Sequence, residues 1–256
     1  MTGQGGSSVQ LDVVDGVAHL VFDRPEASNA LDLAAGEDFE RALQQVADDD
    51  AARVLLVSGN GRMFSSGGDL AAMAAAQDRP GFVQQLADQA HRGVRLLDAL
   101  AKPVVVAVHG AAAGIGLSFV LSADLVVAAR STRFVTAYTS VGLTPDGGQS
   151  WLLPRAVGLQ RALELTLTPR RLTAEEAQDW GIVTRVVDDG EHLEQARVLA
   201  EQLAAGPAES FGRARRLLRS SWDRSLDEQL DAEAASISAS SGTQESRDLI
   251  AGFLKR

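Results

Sequence analysis

Two short stretches carry residue types that could do chemistry. Phe64-Ser65-Ser66-Gly67-Gly68-Asp69 and Gly110-Ala111-Ala112-Ala113-Gly114-Ile115-Gly116 each follow an apolar run. Each reads as a strand end, a glycine turn and an alanine-rich helix start. A helix start leaves backbone N–H groups without intrahelical partners, at the positive end of the helix dipole. Two such turns facing one another can hold one oxygen between two N–H donors, an oxyanion hole. Either turn alone reads only as a tight turn. A third stretch, Thr144-Pro145-Asp146-Gly147-Gly148, adds a carboxylate. By itself it reads as a helix start, with Thr144 as N-cap, Pro145 at the first position and Asp146 in the first turn.

The remaining candidates are sparse. His19, His91 and His192 show no metal-ligand spacing. His109, directly before the second turn, reads as support for that loop. There is no cysteine, which excludes disulfides, thiolate catalysis and cysteine metal sites. No GxGxxG or Walker sequence points to a nucleotide cofactor.

These turns need elements to position them. Val9–Val14 and Val17–Phe22 alternate around Asp15-Gly16, a hairpin signal. Helical spacing covers 31–47, 82–100, 117–122, 149–156 and 159–166. Strands are expected at 54–58, 104–108, 124–128 and 182–187, and Val104–Val108 is apolar enough to be buried on both faces. From Glu191 onward the chain reads as helices only. Strands crossed by helices, then a helical tail, give an α/β fold. Apolar positions on the tail, among them Leu226, Leu230, Ile237, Leu249, Ile250 and Phe253, must bury against the core or another subunit. Residues 72–89, interrupted at Pro80 and Gly81, are placed to cover a pocket.

The 256 residues are 45% hydrophobic and 23% charged, an ordinary balance for a globular protein. A formal net charge of −10 argues against a nucleic-acid partner. It also means that an anionic ligand must be captured by a local site. No apolar run is long enough for a membrane span, and Met1–Gln10 lacks the regions of a secretory signal. Together with the missing cysteines this suggests a cytoplasmic protein.

Several motifs in order resemble the crotonase (enoyl-CoA hydratase/isomerase) superfamily. Asp23-Arg24-Pro25-Glu26-Ala27-Ser28-Asn29-Ala30-Leu31 resembles its opening motif, and the two glycine turns resemble its two oxyanion loops. Ala174-Glu175-Glu176-Ala177 and Trp180-Gly181 resemble its later helix and turn. The match spans roughly residues 9–254. It implies a ββα spiral core with a C-terminal helical region: 1–200 as the core with a CoA-thioester site, 201–256 for oligomerisation and pocket cover. It further implies an acyl-CoA thioester substrate, no cofactor beyond the CoA of that substrate, and assembly as trimers or pairs of trimers. By motif position the oxyanion donors are the N–H groups of Gly68 and Ile115. Ile115 removes no donor, but its bulk narrows the acyl pocket. Substrate contacts are implied at Ala27, Ser28, Ala30, Ser66, Asp69, Leu70 and Gly114. Ser28 and Ala71 stand where the family often has basic residues. The CoA phosphates would then need Arg24, Arg62, Lys255 or Arg256.

The hydratases of the family use two glutamates, whose positions fall here on Ser118 and Tyr138. Neither is a carboxylate, and an ordinary phenol titrates near pH 10, so water addition lacks its usual acid and base. Several family members that isomerise or dehalogenate carry an acid at the position of Asp146. One carboxylate suffices to move a proton between two carbons of a held dienolate. The resemblance thus favours an isomerase of double bonds or strained rings with Asp146 as proton shuttle and Ser118 and Tyr138 shaping the pocket. A hydratase using Asp146 and an ordered water, a 4-chlorobenzoyl-CoA-type dehalogenase and a non-catalytic acyl-CoA-binding protein remain open.

Overall fold

The computed structural model describes residues 7–168 and 170–255. An antiparallel hairpin, β1 (Val9–Val14) and β2 (Val17–Phe22), turns at Asp15 and Gly16, both at positive φ. Helix α1 (Leu33–Asp48) starts on the side chain of Asp32, which accepts from Ala35 N–H. Then come β3 (Val54–Gly59), α2 (Leu70–Ala75), α3 (Arg79–Ala99) and β4 (Val104–Val108). α3 begins earlier than the periodicity predicts. Pro80 falls in its first turn, where a missing N–H costs nothing, and Asp78 caps Gly81 N–H at 3.1 Å.

Next in order are β5 (Ala111–Ala113), α4 (Ile115–Leu121), β6 (Leu125–Ala129) and β7 (Arg133–Val135). They lead to α5 (Gln149–Val157), α6 (Leu159–Leu167), β8 (Leu172–Thr173), α7 (Ala174–Asp179) and β9 (Arg185–Val187). The chain ends in α8 (His192–Ala205), α9 (Ala208–Ser220), α10 (Leu226–Ser241) and α11 (Gln244–Phe253). A six-stranded sheet runs β1-β2-β3-β4-β6-β9, parallel after its first pair. A small second sheet, β5-β7-β8, was not expected: the alanines of the second turn pair in parallel with Arg133–Val135. No helix among the described residues is long and apolar enough to cross a membrane.

The large sheet is covered on both faces, as its continuous apolar strands require. Leu55, Val57, Val104 and Val106 face α1 and α3. Val54, Leu56, Val105 and Ala107 face Ala196, Ala200 and Ala204 of α8. On the first side Phe22, Phe39, Phe64 and Phe119 form an aromatic cluster with ring centroids 4.7 to 5.6 Å apart. Phe64 opens the first glycine turn and Phe119 sits in the helix after the second. Both turns therefore rest on one packed base.

The tail is docked unevenly. Buried Arg215 of α9 bonds Asp124 and the last carbonyls of α3, at Leu97, Asp98 and Leu100. α10 and α11 instead leave Leu226, Ile237 and Phe253 about three-quarters exposed, at 74%, 73% and 76%.

Two stability outcomes follow. Phe119→Ala removes the ring shared by Phe22 and Phe39, and unfolding in urea should show a loss of about 3–5 kcal/mol. His192, its ring tilted 30° against His109 at 4.8 Å between centroids, is drawn from 6.5 down to about 4, first by burial and then by His109. Between those values the unfolded chain binds a proton that the folded chain refuses, so stability falls as pH drops through the window. The melting temperature should decline from pH 7 to pH 4, and His192→Gln should flatten that decline.

Candidate active site

The two glycine turns are sewn together by backbone. Phe64 N–H donates to His109 O (3.0 Å), Ser65 N–H to Ala111 O (3.1 Å), and Ala113 N–H back to Ser65 O (3.0 Å). The pairing works only because glycine stands at 110, where φ is +61° and a Cβ would collide with the Arg62 carbonyl. His109 does brace this region, its Nε2 lying 3.0 Å from Gly61 O.

Across 64–69 and 113–115, hydrogen-bond partners account for all but two of the N–H groups. Ser66 N–H goes to Ser28 O, Gly67 N–H to the Ser65 hydroxyl, and Asp69 N–H to Leu31 O. Gly114 N–H goes to Val135 O. The N–H groups of Gly68 and Ile115 donate to nothing among the described residues. Both residues line one cavity of about 140 Å³. Unpaired donors at the wall of a largely apolar cavity are preorganised for an oxygen that gains negative charge.

Asp146 lines the same cavity and is the one carboxylate among its described lining residues. The local capping reading of Thr144-Pro145-Asp146 fails, while α5 begins at Gln149, where the helical spacing puts it, because Gly147 and Gly148 both take positive φ. Freed from capping, the carboxylate accepts a 2.5 Å hydrogen bond from the Tyr138 hydroxyl. Burial, then the Asp146 charge, pushes the Tyr138 phenol well above its ordinary 10, so it keeps its proton and serves as donor. Ser118 is fully buried, its hydroxyl 3.5 Å from the Asp146 backbone carbonyl. Of this pair only Tyr138 forms cavity wall.

The other predicted contacts divide. Ser66, Leu70 and Gly114 line the cavity. Ala27, Ser28 and Ala30 do not reach its wall; they lie beside the first loop, joined to it through Ser28 O. Asp69 spends its carboxylate as the N-cap of α2, accepting from Ala72 N–H at 3.0 Å. Arg24 is not a free cation for a phosphate: its guanidinium meets Asp32 at 3.0 Å and Asp69 at 3.4 Å. Arg62 is exposed, and Arg256 lies outside the described residues. The lining residues all fall between Leu31 and Asp146. Within this chain, α2 and α3 contribute Leu70, Met73, Leu86 and Ala90 to the wall, in keeping with the cover read at 72–89.

The chain as a whole matches known proteins. Residues 12–256 match the family described as enoyl-CoA hydratase/isomerase. The chain belongs to this family, within the crotonase superfamily. It is 38% identical to the 1,2-epoxyphenylacetyl-CoA isomerase of Escherichia coli K12, over 95% of this chain and 94% of that protein. It is 31% identical to a 4-chlorobenzoyl coenzyme A dehalogenase of Arthrobacter, over 99% and 92%. A solved enoyl-CoA hydratase structure from Polaromonas sp. JS666 superposes with a TM-score of 0.92 at 31% identity, covering 96% of each chain. The α/β crotonase-type fold read from the motifs is the fold of this family member.

One residue of the candidate site was invisible in the sequence. His91, on α3, accepts Gly147 N–H on Nε2 at 3.1 Å and so steadies the peptide next to Asp146. A single histidine on a helix gives no signal for a partner 56 residues away. His91→Leu leaves the buried Gly147 N–H unpaired and shuts out a replacement water. Urea denaturation should register a cost of about 1–3 kcal/mol.

Proposed function

We propose that this chain is an enoyl-CoA isomerase that shifts a double bond, or opens a strained ring, in an acyl-CoA thioester. The observation that carries this reading is a lone carboxylate, Asp146, in the cavity where Gly68 and Ile115 leave two N–H donors free. The two N–H groups donate to the thioester oxygen. The Asp146 carboxylate takes a proton from the carbon next to the carbonyl, and the electron pair moves into the C–C–O system as a dienolate. The negative charge rests largely on the oxygen between the two N–H groups. Asp146 then returns the same proton two carbons further along, and the double bond comes into conjugation. No water is added and no net proton is lost.

Tyr138 supports this role by holding one carboxylate oxygen, which leaves the other to exchange the proton. The apolar lining of Leu31, Met73, Leu86, Ile115 and Leu143 suits an uncharged acyl group and keeps the carboxylate from water. Water addition needs a second acid or base, and the two hydratase glutamate positions hold Ser118 and Tyr138. The name of the E. coli relative, an epoxide isomerase of an aryl-acetyl thioester, agrees with isomerisation. The CoA portion is proposed to run from Ser66 in the cavity wall along the adjoining Ala27–Ala30 segment and Asp69. The exposed apolar residues of α10 and α11 are proposed to pack against neighbouring copies in a trimer or a pair of trimers.

A 3-enoyl-CoA should gain the absorbance of a conjugated thioester on mixing with the protein, and a 2-enoyl-CoA should show no hydration. Asp146→Asn should lower kcat by at least about 10²-fold while acyl-CoA still raises the melting temperature. Full activity in that variant would rule the mechanism out. Hydration of the 2-enoyl-CoA would select the hydratase reading instead.

A further inference from the structure

Gln149 opens α5, three residues after Asp146, and its side chain is 1% exposed. Its carboxamide donates from Nε2 to the carbonyl oxygen of Gly114 at 3.1 Å. Its own Oε1 is buried with no partner among the described residues. An apolar side chain of the same shape would avoid that unmet acceptor. The amide is not needed to satisfy Gly114 either, since that oxygen already receives Leu117 N–H at 3.0 Å and Ser118 N–H at 3.3 Å.

The reason for an amide lies at the other end of the same peptide. The Gly114 carbonyl and the Ile115 N–H belong to one planar trans unit, so holding the oxygen fixes the opposite direction of the N–H. A donor on the carbonyl also draws electron density towards it and makes the N–H a stronger donor. Gln149 is tied to the acid as well: its backbone N–H donates to the Asp146 carbonyl at 3.0 Å. One residue therefore grips the loop bearing the carboxylate and the peptide bearing the oxyanion donor.

We propose that Gln149 is a positioning residue that aims and polarises the Ile115 N–H and keeps it in register with Asp146. The register part rests on the isomerase reading; the polarising part rests only on an acyl thioester oxygen entering the hole.

Gln149→Met keeps the length and shape and removes both the donor and the unmet acceptor. Removing a direct oxyanion donor costs about 10²–10³ in kcat, so loss of this indirect support should lower kcat about 10-fold with KM little changed. The second readout is 4-methoxybenzoyl-CoA, a conjugated thioester with no hydrogen on the carbon beside the carbonyl. Its absorbance should shift to longer wavelength when bound to the wild type and to Asp146→Asn. The shift should shrink by half or more in Gln149→Met. If the protein is no isomerase, the kcat readout falls silent for every variant, and the spectral readout still decides the polarising role. A full shift in a folded Gln149→Met or Gln149→Leu variant overturns the proposal. So does loss of fold in both variants, because the amide would then be a requirement of packing.

Discussion

The parallel bridge between Ser65 and Ala112 is the contact on which the rest of the site depends. It brings two chain segments that are far apart in sequence into strand register, and the N–H groups of Ser65, Ser66, Gly67, Asp69, Ala113 and Gly114 are consumed by that pairing or its flanks. What remains is a pair of donors, at Gly68 and Ile115, that the pairing geometry cannot reach. Backbone donors held this way need no reorganisation when charge develops on a bound oxygen. The site is thus a by-product of satisfied hydrogen bonding. The open donors are what the fold leaves unpaired.

Packing makes that geometry durable. The phenylalanine cluster anchors one end of each loop, so neither turn can drift without opening a cavity in the core. On the far side of the hole, Tyr138 and His91 fix the acid loop from two directions, one through the carboxylate and one through the backbone. Arg215 performs a related service further out. Its buried guanidinium satisfies the carbonyls at the end of α3, the helix that carries His91, and pairs with Asp124 before β6. Ground-state stability and alignment of the site therefore draw on the same contacts.

Much of this was legible in the residues. Strand and helix periodicities located the main sheet, and the glycine turns announced donors before any geometry was known. The small sheet was not legible, because Ala111–Ala113 carries no strand signal and pairs only when Arg133–Val135 arrives beside it. At Asp146 the local residues and the resemblance pointed to different readings. Thr144-Pro145-Asp146 has every local mark of a helix cap, yet the two positive-φ glycines postpone the helix and turn the carboxylate to Tyr138 instead. Tyr138 itself read as mere wall, since an isolated tyrosine does not reveal what its hydroxyl will meet.

By itself the sequence determined the α/β class and the two places where backbone donors could be free, and the resemblance put Ser118 and Tyr138 where the family's hydratases carry glutamates. These are local properties: residue identity, turn chemistry and hydrophobic period act over a few neighbours. The tertiary structure alone decided that the two turns share one cavity, that Asp146 belongs to it, and that His91 and Gln149 hold its loop. Those facts depend on hydrogen bonds between residues dozens of positions apart. No local pattern encodes such a partner, because the partner exists only once the sheet has closed and the core has packed.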